Sequence, residues 1–398
     1  MVMPPPSYPP GRPVLQLPGP TDVPDPVLRA TAAPTIDHRG GEFTALVRKL
    51  LPRLAAMFGT DQPVALVPSS STGAWEAALV NTCSPGQRVV AFDSGYFARL
   101  WAGLAGRLGL AVDLIECDWS RGIDPADLAG VLGADSAGQI AAVLVVHNET
   151  ATGVRNPVAD VRAVLDRADH PALLLVDAVS SAPCLPYEHD RWRVDVTVCG
   201  SQKGLMLPPG LGLNVVSPRA RERAAGGGAP RGYWDWEAVF EANQRGVYPY
   251  TPPTNLLFGL RAALDLLEQE GRPAIQRRHA QLGRAARAAV AAWGLRTYGV
   301  DPARHSDTVT AVRTPPGIDA DAVCAAALRL GNLTLGRGLG PDAGSVFRIG
   351  HLGQCGPTQL LGALGTTELA LRACGVPARG GTAAALNVFA EAALPEAP

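Results

Sequence analysis

Lysine is almost missing from this chain. Of the 35 basic residues among 398, only Lys49 and Lys203 are lysine. Long apolar runs are missing too, since no stretch approaches the ~20 continuous apolar residues of a membrane span. The opening Met1–Pro10 has neither an apolar core nor a basic flank, which argues against a secretory signal and reads as an extended arm. No block of like charges occurs and the formal net charge is -1, so no nucleic-acid or membrane-surface partner is expected. The seven cysteines, at 83, 117, 184, 199, 324, 355 and 374, form no CxxC pair. Their odd number points to reduced thiols in the cytoplasm, with no disulfide framework and no metal site.

What is present suits a globular protein. Hydrophobic residues make up 47% of the chain, and its length allows two domains with a sizeable core. Because arginine carries nearly every other positive charge, a lysine stands out where chemistry separates the two. Lys49 lies beside Arg48 in the amphipathic window Glu42–Phe58 and reads as part of a solvated face. Lys203 follows the apolar run Val194–Cys199, in Gly200-Ser-Gln-Lys-Gly204, where a strand ends. A primary amine can lose its proton and attack an aldehyde, which a guanidinium cannot do at accessible pH. A lone lysine at a strand end is ordinary, so its context has to decide.

That context is a succession of strand and helix signals. Short apolar runs occur at Val64–Val67, Arg88–Phe92, Val112–Glu116, Ala141–Val146 and Ala172–Val176. Helical windows at 74–80, 98–108, 124–132 and 158–168 separate them, and Gly212–Ser217 runs back after Lys203. Such alternation predicts an α/β fold with a mainly parallel sheet, whose ligands sit at the carboxyl ends of the strands. Thr72, Phe97, Thr150, Asp177 and Lys203 all fall at that end. The loop Pro68-Ser-Ser-Ser-Thr-Gly73 stands between a strand and a helix, a geometry that offers amides and hydroxyls to an anion. An N-cap is the blander reading of that loop. Asp177 could also be a cap, but an acid after four apolar strand residues is costly without a partner. Pyridoxal phosphate is the commonest aldehyde held by an enzyme lysine, and a carboxylate on its pyridinium nitrogen is the usual companion. Beyond Leu256–Glu270 the chain mixes strands (308–313, 345–349) with helices (275–293, 319–330, 359–374), an α+β pattern. The expected organisation is an extended arm over 1–17, a large cofactor-binding domain over 18–272 and a small domain over 273–398.

Four segments, Gly200–Gly210, His147–Val154, Val176–Ser181 and Phe347-Arg-Ile-Gly-His-Leu-Gly353, resemble in order and spacing the class V aminotransferases of the pyridoxal phosphate fold type I superfamily. Within that class the chain is most similar to serine-glyoxylate and alanine-glyoxylate aminotransferases. The resemblance implies that Lys203 holds the cofactor as a Schiff base and then moves a proton, while Asp177 pairs with the pyridinium. It implies Phe97 and Val179 on the two ring faces, Thr150 on the ring hydroxyl, and Ser71, Thr72 and Gln202 on the phosphate. Tyr248 and Thr251 would reach the phosphate from the partner subunit of a homodimer with shared active sites. Arg348 would clamp a substrate carboxylate, helped by backbone near Gly19. His147 and His351 lie in these motifs as supporting residues. The substrates implied are a small 2-amino acid, serine or alanine, and the 2-oxo acid glyoxylate.

Two departures stand out. A serine occupies position 71 where the family more usually has glycine, and Gln354-Cys-Gly-Pro-Thr358 replaces an acidic, leucine-rich segment behind the arginine motif. Pyridoxamine-pyruvate transamination is an alternative within the class. A lyase of the cysteine desulfurase kind shares fold and lysine, but needs a cysteine on a loop ahead of the arginine. The corresponding Leu335–Gly340, read as a loop, has none. A catalytically silent relative would have no need of both Lys203 and Asp177.

Overall fold

The computed structural model describes residues 11–393. Seven strands form the larger sheet, in the spatial order Val64–Ser69, Gly210–Val216, Val196–Gly200, Leu173–Asp177, Ile140–Val146, Arg88–Asp93 and Ala111–Glu116. All pairings are parallel except those of Gly210–Val216, which runs antiparallel to both neighbours. The three central strands are buried along their whole length, as expected of parallel strands covered by helices on both faces. Register brings their carboxyl ends level: Val146 pairs with Asp177, and Asp177 with Val198. Every functional candidate after residue 140 on this sheet therefore emerges along one rim.

Helices start closer to that rim than the sequence suggested. The helix expected from Ala74 begins at Ser71, and the one expected from Ala98 begins at Tyr96. Ser71, Thr72 and Phe97 thus belong to first helical turns and not to loops, because Ser70 and Gly95 already take the non-helical N-cap positions. Four helices escaped the periodicity reading: Asp25–Thr31, Pro218–Gly226, Trp236–Gln244 and Gly381–Ala393.

A second, five-stranded sheet has the order Val14–Gln16, Leu333–Arg337, Val346–Gly350, Val309–Arg313, Arg296–Thr297. Its own apolar core joins Leu282, Ala286, Val323, Phe347, Ile349 and Leu364. Val14–Gln16, from the segment expected as an arm, is an edge strand here, parallel to Leu333–Leu335. Residues 1–10 lie outside the described part. The expectation of a loop over Leu335–Gly340 is overturned as far as Arg337. Its Gly-Arg-Gly pattern signalled a turn, yet the segment is paired on both sides. Gly336 is there for close approach, since a Cβ on it would lie 3.0 Å from the Pro18 ring and 3.1 Å from Arg348 Cβ. At Gly350, on the neighbouring strand, a Cβ would overlap the Leu17–Pro18 backbone. These two glycines let residues 17–18 lie directly on the strand that carries Arg348. Among the described residues, no helix is long and apolar enough to cross a membrane, and no acidic, His and Cys cluster could hold a metal.

Candidate active site

Lys203 follows the strand Val196–Gly200 by three residues, in a turn tied down by Leu207 N–H to Ser201 O and Met206 N–H to Lys203 O. Its Nζ donates to the Pro18 carbonyl at 2.5 Å, and Thr21 Oγ1 donates to the lysine's backbone carbonyl. Gly19 has φ +104, and a methyl group there would overlap the lysine side chain, so only glycine fits. Burial lowers the Lys203 pKa to about 8, and the Arg348 charge adds to the effect while Asp177 opposes it. A sizeable neutral fraction at physiological pH is what a nucleophilic amine requires.

Asp177 ends the central strand Leu173–Asp177. Its Oδ1 accepts from the Val179 amide at 2.7 Å and its Oδ2 from Trp75 Nε1 at 2.9 Å. Those contacts orient the carboxylate, but no cation is within ion-pair distance of it among the described residues, and burial raises its pKa to about 6 against the more distant Lys203 charge. Trp75, which stacks on Trp101 at 5.8 Å, escaped the sequence reading. Its position one turn into the helix Ser71–Thr82 was the available signal.

Around Gly200 two side chains converge. A Cβ on Gly200 would run into Ser71 Oγ and lie 3.1 Å from Gln202 Oε1, and both of these buried atoms lack a hydrogen-bond partner. First-turn amides of a helix have no acceptor within it, so Ser71 and Thr72 add N–H donors to that spot. A phosphate would accept from the Ser71 hydroxyl and the helix-end amides, and from the Gln202 side chain with its NH2 turned in place of Oε1. The residues present therefore fit a phosphorylated cofactor.

Thr150 Oγ1 donates to Ser180 Oγ at 2.8 Å, and Ser180 in turn bonds the Asn148 carbonyl. Val179 belongs to the apolar cluster around Trp75 and Trp101, and the half-buried Phe97 packs against the same cluster. Arg348, on the strand Val346–Gly350, is 8% exposed. Its Nη1 donates to Thr150 O at 3.1 Å and its Nε to Arg337 O at 2.9 Å. No acid is within ion-pair distance of it among the described residues, and burial lowers its pKa to about 10. An unpaired buried guanidinium is costly and stands ready for a carboxylate ligand.

Tyr248 and Thr251 are not joined to this group within the chain. Tyr248 packs edge-on to Phe43, its buried hydroxyl without a partner, and Thr251 is exposed. His147 lies between Tyr187 and Trp192, and burial drives its pKa to about 3. His351 bonds Thr310 and the Asp307 carbonyl, and burial likewise drives its pKa to about 3. Burial keeps both imidazoles neutral. A second residue missed in the sequence is Glu149, fully buried between the Phe97 helix and the Arg348 contact. An acid inside His147–Gly153 read as a polar loop, and nothing local to the sequence marks it as buried.

The family signature Aminotransferase class-V matches residues 19–330. The chain belongs to the class V aminotransferases. It is 46% identical to the serine-glyoxylate aminotransferase of Methylorubrum extorquens, over 98% of both chains. It is 41% identical to the L-aspartate-glyoxylate aminotransferase of Paracoccus denitrificans, over 93% of both. Among solved structures it superposes on pyridoxamine-pyruvate aminotransferase from Mesorhizobium loti with a TM-score of 0.91 and 30% identity, covering 97% of this chain and all of that one. As a member of class V, the protein is a pyridoxal phosphate-dependent aminotransferase of fold type I.

Proposed function

We propose that this aminotransferase moves the amino group of a small 2-amino acid, L-serine first and L-alanine next, to glyoxylate, giving glycine and the matching 2-oxo acid. The observation that carries the reading is Arg348, a buried guanidinium without an acidic partner among the described residues, whose charge acts on Lys203. Donor and acceptor each bring one carboxylate, and a bidentate pair with Arg348 would hold either in the same place. The 46%-identical serine-glyoxylate relative supports this choice of substrates.

Bound pyridoxal phosphate supplies an electrophilic carbonyl and a ring able to accept an electron pair. Ser71, Thr72 and Gln202 would hold its phosphate, and Asp177, already oriented by Trp75 and Val179, would keep a proton on the ring nitrogen. Phe97 and Val179 would face the ring, with Thr150 at its hydroxyl. Lys203 Nζ supplies the covalent anchor, and once released carries a proton between substrate and cofactor. Pro18 and Gly19 lie against that amine, which shields it from water on that side. We further propose one large domain over 18–272 and one small over 273–398, with Tyr248 and Thr251 completing the phosphate site of a partner subunit in a cytoplasmic homodimer.

Arg348→Lys tests the substrate assignment. Lysine keeps the charge but loses the fork, so kcat/KM with serine and with alanine should fall roughly 10- to 100-fold while the visible band of the bound cofactor persists. Unchanged kinetics, or a wild type that accepts only aspartate or pyridoxamine, would overturn the assignment.

A further inference from the structure

Glu149 has none of the roles given above, yet no part of its side chain reaches solvent. It lies on the two-residue strand Asn148–Glu149, which pairs with Val154–Arg155 to form a tight hairpin. Oε2 accepts the amides of Phe97 and Ala98 at 3.1 and 3.2 Å, and Oε1 accepts the Ala151 amide at 3.0 Å. The helix Tyr96–Arg107 has no capping side chain on its own N-cap residue, so Glu149 supplies the anion that its first turn lacks. The next residue along, Thr150, offers its carbonyl to Arg348 Nη1 and its hydroxyl to Ser180. One short peptide, 149–151, therefore grips the backbone of the ring-facing aromatic with one hand and the guanidinium with the other.

We propose that Glu149 is a positioning residue that locks Phe97 and Arg348 to this peptide, and so fixes the spacing between the ring face and the carboxylate clamp. The proposal rests on the roles given above to Phe97 and Arg348. Three N–H donors require a full acceptor, which the carboxylate is. Its protonated form accepts more weakly, loses the charge that faces the helix end, and adds an O–H that needs an acceptor where its three neighbours are donors. Neutral glutamine fails in the same way, because its amide nitrogen would face an N–H. Aspartate keeps the charge but is one carbon shorter, too short to reach both sets of amides. The charges acting on Glu149 come from two elements. Asp177, on the central strand, repels it, and Arg348, on the small-sheet strand, is held more firmly protonated by it. Burial brings the Glu149 pKa up to about 7, so both forms are populated near neutrality.

The test compares Glu149→Gln, Glu149→Asp and Arg348→Lys as holoenzymes. In wild type, the visible circular dichroism of the bound cofactor and the KM for serine should both change between about pH 6 and 8, as Glu149 gains or loses its proton. Glu149→Gln should raise KM for serine about 10-fold with a smaller change in kcat, and should lack that pH-dependent component. Glu149→Asp should raise KM but keep a component of this kind, displaced in pH. A Glu149→Gln enzyme with wild-type KM and an intact pH dependence, beside an Arg348→Lys enzyme that has lost serine affinity, overturns the proposal and leaves the reading of Arg348 standing. An Arg348→Lys enzyme with normal serine kinetics overturns that reading instead. If Glu149→Gln fails to fold, the aspartate variant decides: wild-type KM and dichroism there overturn the proposal.

Discussion

In the role proposed for it, Asp177 would tie cofactor binding to stability. Its pKa in the folded chain lies near 6, above the ordinary 3.8, because burial disfavours the charge. A carboxyl raised in this way contributes stability that is fully present below about pH 4 and is lost as pH climbs through 6. The loss approaches 3 kcal/mol for a shift of about two units. A pyridinium partner would reverse it by pairing the charge. The cofactor-free protein should therefore lose thermal stability between pH 4 and 7, and cofactor addition should stabilise it more at pH 7 than at pH 5. In Asp177→Asn the pH dependence should flatten, and differential scanning calorimetry across that range checks both statements. At this scale the sequence was informative where a residue type was conspicuous. Lys203 was exposed by the scarcity of lysine, and Asp177 by its place at the end of an apolar run. Glu149 and Trp75 were hidden, because what makes them matter is a long-range partner: amides 51 and 52 residues away for the one, a carboxylate 102 residues away for the other.

Elements were legible in proportion to how local their causes are. The central strands announce themselves as unbroken apolar runs, since both of their faces are covered. Leu333–Arg337 did not, because one of its partners is the distant Val14–Gln16 and its glycine serves a neighbour and not a turn. The same closeness makes a prediction. At Gly350 a methyl group has no flexible side chain to displace, only the Leu17–Pro18 backbone. Gly350→Ala should cost about 2–4 kcal/mol, in the range of other overpacking and strain effects. It should also pull Pro18 off Lys203 Nζ, which carries no other hydrogen bond to the segment. Chemical denaturation measures the first effect. Faster trapping of the lysine by a small aldehyde reagent in the cofactor-free protein measures the second. A Gly350→Ala protein as stable and as slowly trapped as wild type would contradict both.

At the scale of the whole molecule, Tyr248 keeps a buried hydroxyl without a hydrogen-bond partner among the described residues. If two chains complete each other, mixing inactive Lys203→Ala with an inactive Tyr248→Phe/Thr251→Ala double variant should restore activity. Random pairing of subunits gives about a quarter of the wild-type sites. A mixture as inactive as its components would leave each chain with a self-contained site. The strand Val14–Gln16 bears on how the protein is made. It leaves the ribosome long before Leu333–Gly350, on which its place in the second sheet depends. At 5–20 residues per second that interval is roughly 20 to 70 s. Over its last part, while residues 217–350 are made in roughly 7 to 27 s, the larger sheet is already complete in sequence and the strap of Pro18 and Gly19 has as yet no second sheet to anchor it above Lys203. The nascent chain thus offers its reactive amine openly before the finished protein encloses it, a window in which cofactor can be taken up during translation.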